Sequence, residues 1–134
     1  MKSAGLDTSV VLRLLTGSPP DQARRALNEV TERLQSGARV SVSDLVISEV
    51  YFALQYHYDV PKAEALRLLS VFLSDSGVVC TGAAATVLST PGLATAKPGF
   101  VDRLIHAECR GQAEELLTFE TAAARLPGVR VLTP

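Results

Sequence analysis

The sequence predicts an α/β fold, a three-layer α/β/α sandwich with a mainly parallel central sheet, on three observations. Short apolar runs of strand length alternate with longer segments whose apolar residues recur every three or four positions, the pattern of crossover connections between parallel strands. The 134 residues are 47% hydrophobic, which suits one core and leaves no room for a second. No internal repeat, low-complexity tract or linker breaks the alternation, so residues 1–134 are expected to form a single domain.

Taken in order, Ala4 to Leu6 reads as a short strand, Asp7-Thr8-Ser9 as a polar turn, and Val10 to Leu15 as one or two helical turns before the breaker Thr16-Gly17-Ser18-Pro19-Pro20. Ala23, Ala26, Leu27, Val30 and Leu34 then give an amphipathic helix, with Asp21 at its start and Gly37 as its stop. Val40 and Val42 alternate with polar neighbours as a strand, and Ser43 stands where an N-cap begins a helix running to about His57. Pro61 fits the first turn of another helix, whose Ala65, Leu68, Leu69 and Phe72 make an apolar stripe ending near Ser76-Gly77. Val78 to Cys80 reads as a third strand, Ala83 to Leu88 as helix, Ser89 to Gly99 as loop, and Phe100 to Arg110 as helix. Leu116 to Phe119 is expected to be a buried strand and Val129 to Leu132 a late edge strand.

Composition narrows the function. Thirteen basic against fourteen acidic residues give a net charge of -1, so any nucleic-acid contact has to be local. Cys80 and Cys109 have no second Cys or His at ligand spacing; free buried thiols in a reducing cytoplasm are the expectation, and neither a zinc site nor a disulfide framework is. Without a signal-peptide pattern or a long apolar run, the chain is expected to be cytoplasmic and away from membranes.

Four carboxylates stand out. Asp7 and Glu120 each follow an apolar strand, and ligands bind at the carboxyl edge of open parallel sheets, so both are expected to face one cleft. Glu49 lies among Leu45, Val46, Ile47, Val50, Phe52, Ala53 and Leu54, apolar residues that wrap most of the helix. An ionised Glu in such a helix needs a cation, a hydrogen-bond network or a raised pKa. Asp102 occupies the first turn after Pro98-Gly99. Singly, each has a structural alternative: an Asx turn for Asp7, a wet stripe for Glu49, a helix-dipole partner for Asp102, a strand-end polar residue for Glu120. Jointly, carboxylates without His or Cys are the ligand set of hard ions such as Mg²⁺ and Mn²⁺. Arg13, Lys97 and Arg103 lie near the expected mouth as backbone-phosphate contacts, with solvated charge as the alternative. His57 and His106 lack a Ser or Cys partner, and Tyr51, Phe52, Tyr56 and Tyr58 cluster near Glu49 as core, interface or stacking residues.

The segments Gly5-Leu6-Asp7-Thr8-Ser9-Val10-Val11, Ile47-Ser48-Glu49-Val50, Gly99-Phe100-Val101-Asp102-Arg103-Leu104-Ile105 and Leu117-Thr118-Phe119-Glu120 resemble, in order and spacing, the four acidic motifs of PIN domains. The resemblance covers nearly the whole chain, and the subgroup it resembles most is the VapC-type toxin of toxin-antitoxin pairs. It implies a PIN-like fold and a Mg²⁺- or Mn²⁺-dependent endoribonuclease that leaves a 5′-phosphate and a 3′-hydroxyl, working as a homodimer bound by a cognate antitoxin. Asp7, Glu49, Asp102 and Glu120 match its catalytic, metal-binding acids, while Ser9 and Thr118 match supporting polar positions. Two departures stand against it: Glu120 replaces the usual Asp, and Gly99 occupies a position that is acidic in many relatives. They favour an alternative, a catalytically weakened PIN-like binding or scaffold module; an RNA-processing nuclease without an antitoxin is another. A haloacid-dehalogenase-like phosphatase needs a second Asp where Ser9 stands, which rules it out.

Overall fold

Every connection between strands of the central sheet carries two helices. In the computed structural model, which describes residues 1–134, β1 (Ala4–Gly5) is followed by α1 (Thr8–Thr16) and α2 (Pro20–Gln35). Next come β2 (Val40–Val42), α3 (Asp44–His57) and α4 (Lys62–Asp75), and then β3 (Val79–Cys80). The strands pair in the order β1-β2-β3, all parallel, with Ala4 opposite Val40, Ser41 opposite Val79 and Val42 opposite Cys80. The mainly parallel sheet of an α/β sandwich is thus the observed architecture. Helices α5 (Ala84–Leu88) and α6 (Phe100–Arg110) follow, then β4 (Leu116–Thr118), a 3-10 turn at Thr121–Arg125, and β5 (Val129–Val131).

The helix ends obey their local chemistry. The Ser43 hydroxyl accepts from the Val46 amide at 3.2 Å and caps α3, while α1 stops at Gly17, whose φ of 69° is the left-handed conformation that glycine adopts without a Cβ penalty. The core gathers one face of each long helix against the sheet: Val11, Val30, Val40, Val42, Ile47, Val50, Leu54, Ala65, Leu69, Phe72, Phe100 and Leu104 are all buried. Full burial of an aliphatic or Phe side chain is worth about 1.5–3 kcal/mol each, so this set carries the fold. Tyr51 closes it at one end, its ring edge-on to Phe100 with centroids 5.0 Å apart.

Several sequence expectations need correction. The strand at Leu116–Phe119 is not buried: Leu117 is 57% and Phe119 68% exposed. It does not extend the central sheet either, because β4 pairs only with β5, in parallel, as a separate two-stranded sheet. None of its residues belongs to the core cluster. Helix α3 is not wrapped by the interior. Ile47, Val50, Tyr51 and Leu54 point inward, whereas Leu45, Glu49, Phe52 and Tyr56, spaced at four, three and four residues, share an exposed face. Glu49 is therefore solvated and needs no partner to offset burial. Both cysteines are free, as expected, but half-buried rather than buried.

One residue that the sequence reading passed over ties the sheet edge together. Asp44, the first residue of α3, reaches across to the segment after β3, where Oδ2 accepts from the Ala83 amide at 2.8 Å and Oδ1 from the Ala84 amide at 2.9 Å. The Cys80 thiol also donates to Oδ1, at 3.4 Å. Gly82 lies directly under this carboxylate, so a Cβ there would collide with it. Hydrogen bonds to a charged acceptor are worth about 1.5–3 kcal/mol, and losing the acceptor strands two amides. Asp44→Ala is therefore expected to lower unfolding stability by about 1–3 kcal/mol in urea titrations, with Gly82→Ala also destabilising. Wild-type midpoints for both variants would show that the clasp holds nothing.

Candidate functional site

The parallel strands all end on the same edge of the sheet, and chain leaving β1 and β2 turns there into Asp7 and Ser43-Asp44. Asp7 is the N-cap of α1. Its Oδ1 accepts from the Ser9 hydroxyl at 2.6 Å and from the Val10 amide at 3.2 Å. These bonds, the Ser9 hydroxyl foremost and the Val10 amide next, hold the Asp7 carboxyl below its ordinary value against slight desolvation, with Arg13 adding a smaller attraction. Asp7 is thus a capping residue, as its turn chemistry allowed, and an exposed carboxylate kept ionised and fixed in direction. Ser9, expected as a supporting polar residue, donates one of the two bonds that Asp7 Oδ1 accepts.

Asp102 and Glu120 meet elsewhere. Both line a small cleft of about 130 Å³ between α6 and the C-terminal sheet, together with Ile105, Leu117 and Thr118. Asp102 sits in the first turn of α6, exposed. Glu120 follows β4, and Thr118 steadies it through the backbone, its Oγ1 accepting from the Glu120 amide at 2.9 Å. Glu49 stands apart on the exposed face of α3. Asp7 does not line the cleft that holds Glu120, so the expectation of a single cleft for these two is not what the structure displays. Two of the four acids come together, and no three His, Cys, Asp or Glu side chains stand close enough to share one ion.

The neighbouring cations divide into fixed and available groups. Arg103 donates Nε to the Pro98 carbonyl at 2.8 Å, and Arg125 donates to the Lys97 carbonyl at 3.3 Å; both hold the loop that delivers α6. Part of the Arg103 fork is therefore spent on structure rather than on a ligand. Lys97 is exposed. Arg13 donates Nε to the Gln22 side chain at 2.7 Å across the α1–α2 interface. His106 donates from Nε2 to the Pro127 carbonyl at 2.7 Å, pinning α6 to the turn before β5, a structural role. Asp44 is the edge carboxylate that sequence reasoning missed. The signal for it was an Asp at the first helical position directly after a strand, but the partner amides lie about forty positions away and no local pattern reveals them.

Chemically, Asp7, Glu49, Asp102 and Glu120 present exposed carboxylate oxygens, a donor type suited to hard divalent ions. Among models of known families, the one described as PIN domain matches residues 5–129. No curated protein and no solved structure matches the chain.

The depressed Asp7 pKa gives a signed prediction. A carboxyl whose pKa is lower folded than unfolded, as that of Asp7 is, contributes stability above its unfolded value, and that contribution is lost as pH falls through the folded value. Ser9→Ala removes the main cause. In a carboxyl-carbon NMR titration its Asp7 midpoint should rise toward the ordinary value, and its acid unfolding should begin at higher pH. An unchanged Asp7 midpoint would mean that Ser9 does not hold the carboxylate.

Proposed function

The chain belongs to the PIN domain family, generally metal-dependent nucleases, and from that premise we propose that it is a Mg²⁺- or Mn²⁺-dependent endoribonuclease, the toxin of a type II toxin-antitoxin pair. The observation that supports this most is Asp7, an ionised carboxylate at the carboxyl edge of a parallel sheet, aimed by Ser9. Asp102 and Glu120 in their shared cleft supply two further oxygen ligands, and Glu49 a fourth. The residues fit the ion by chemistry: all are carboxylates, all are exposed, and none of the four is consumed by an Arg or Lys partner. Asp102 and Glu120 would hold it in their cleft, and Asp7 and Glu49, which stand outside that cleft, are proposed as its further ligands on donor chemistry alone.

A divalent ion bound there supplies positive charge against the phosphoryl and leaving oxygens of a phosphodiester. The chain's own contributions are positional. Ser9 donates to Asp7 and leaves the carboxylate one preferred direction. Thr118 fixes the backbone from which Glu120 projects, which matters because Glu carries one methylene more than the Asp expected there. The Arg103 and Arg125 bonds hold the loop before α6 and so the start of the helix that carries Asp102. No side-chain nucleophile enters this reading, in keeping with the structural engagement of His106.

Toxins of this kind work with a partner, and the exposed Leu45, Phe52 and Tyr56 on α3 offer apolar area for an antitoxin or a second protomer in a homodimer. The cytoplasm is the compartment this role requires; no helix is long and apolar enough to cross a membrane. One observation favours a second reading, a weakened binding or scaffold module: three acids do not converge, and Gly99 and Glu120 both depart from the family pattern.

Purified protein should cleave single-stranded RNA with Mg²⁺ or Mn²⁺ and stop in chelator. Asp7→Asn and Asp102→Asn should each lower the rate about 100-fold or more, Glu120→Asp should hold or raise it, and Glu120→Ala should lower it. Cleavage that survives both Asn changes, in a preparation cleared of host nuclease, rejects the site. An inert protein that is also harmless on expression favours the scaffold.

A further inference from the structure

Beside Asp7, and outside the four acids, the α1–α2 interface opens into a groove of about 370 Å³ whose lining includes Ser9, Arg13, Asp21, Gln22 and Arg25. At about 30 Å³ per water it has the volume of roughly a dozen waters, room for a sugar-phosphate unit. Resting on the nuclease reading, we propose that this groove is the track that carries the RNA strand away from the acidic site, with Arg13 and Arg25 as its two phosphate-binding cations.

Four features support it. First, position: Ser9 belongs both to the groove and to the Asp7 cap, so a strand lying in the groove passes the carboxylate. Second, preorganisation: the Nε of Arg13 is held by Gln22 from the opposite wall, which fixes the guanidinium while its terminal nitrogens remain for an anion. Third, Arg25 is bound only by an exposed pair with Glu29 at 2.7 Å, and Glu29 keeps Arg33 as an alternative partner at 3.0 Å. Turning Arg25 to a phosphate therefore leaves Glu29 paired. Fourth, the one acid in the lining, Asp21, is almost fully exposed, so water and salt screen its charge. The chain's net charge of -1 makes such a local pair necessary: overall attraction to RNA is absent, and a positive track must do the holding. Five of the seven lining residues are polar or charged, and the two arginines among them can meet successive phosphates of a backbone.

The test measures binding without cleavage. A fluorescein-labelled oligouridylate in chelator is titrated by anisotropy over a salt series, with cleavage of the same RNA in Mn²⁺ run separately. Each cation neutralising a single-strand phosphate contributes about 0.7 to the slope of log affinity against log salt. Arg13→Ala with Arg25→Ala should flatten the wild-type slope by roughly 1.4 and weaken binding. Arg13→Lys with Arg25→Lys should keep the slope, since it counts charges. Arg67→Ala, which removes an arginine from an exposed α4 ion pair outside the groove, should leave slope and affinity as in wild type. A wild type that cleaves and binds while the double Ala variant keeps its slope overturns the track alone and leaves the groove to an acidic protein segment. A wild type that neither binds nor cleaves overturns the nuclease reading and the track with it.

Discussion

Parallel pairing of β1, β2 and β3 forces each connection to cross the sheet, and every strand then finishes on the same side. The chain emerging there has unpaired helix amides to satisfy, and it meets them with short polar side chains: Asp7 for α1, Ser43 for α3, Asp44 for the start of α5. The carboxyl edge is consequently polar and acidic for structural reasons before any chemistry is asked of it. What separates Asp7 from Asp44 is occupancy. Asp44 spends both oxygens on amides, while both bonds to Asp7 fall on Oδ1.

This accounts for what was legible in the residues. The helices and parallel strands follow from periodicity and stops, so Ser43, Gly17 and most of the core face of α4 were readable locally, whereas in the apolar stripe of α2 only Val30 is buried and Leu27 is 57% exposed. Exposure was not. Glu49 among seven apolar neighbours looked buried, because residue type says that a side chain is apolar and not that its face is covered; Leu45, Phe52 and Tyr56 line the open face of the same helix. Leu117 and Phe119 misled in the same way, since a buried strand and an uncovered apolar strand share one sequence signature. The acids were identifiable as candidates from their places after strands and in helix turns, but their mutual distances depend on how α3, α6 and the C-terminal sheet dock, which no local pattern encodes.

The C-terminal sheet, by its docking, sets part of those distances. It is joined to the rest through α6, by the His106 bond to Pro127 and the Cys109 thiol donating to the Glu115 carbonyl at 3.4 Å, and it adds nothing to the main core. Gly128, at a left-handed φ of 71°, lets the turn before β5 close against the Arg110 guanidinium, where a Cβ would collide. Glu120 rides on this unit and Asp102 on α6, which explains why those two acids share a cleft while Asp7 and Glu49 answer to other elements.

Only Asp102 and Glu120 share a cleft, so whether Asp7 and Glu49 serve the same ion, as proposed, is read from paramagnetic broadening of backbone amide signals by Mn²⁺. With one shared ion, as Mn²⁺ is titrated from well below the protein concentration, amides around all four acids broaden together with a single midpoint, and Asp102→Asn shifts that midpoint for all of them. Broadening confined to the Asp102–Glu120 cleft, or separate midpoints for Asp7 and Glu120, would contradict it.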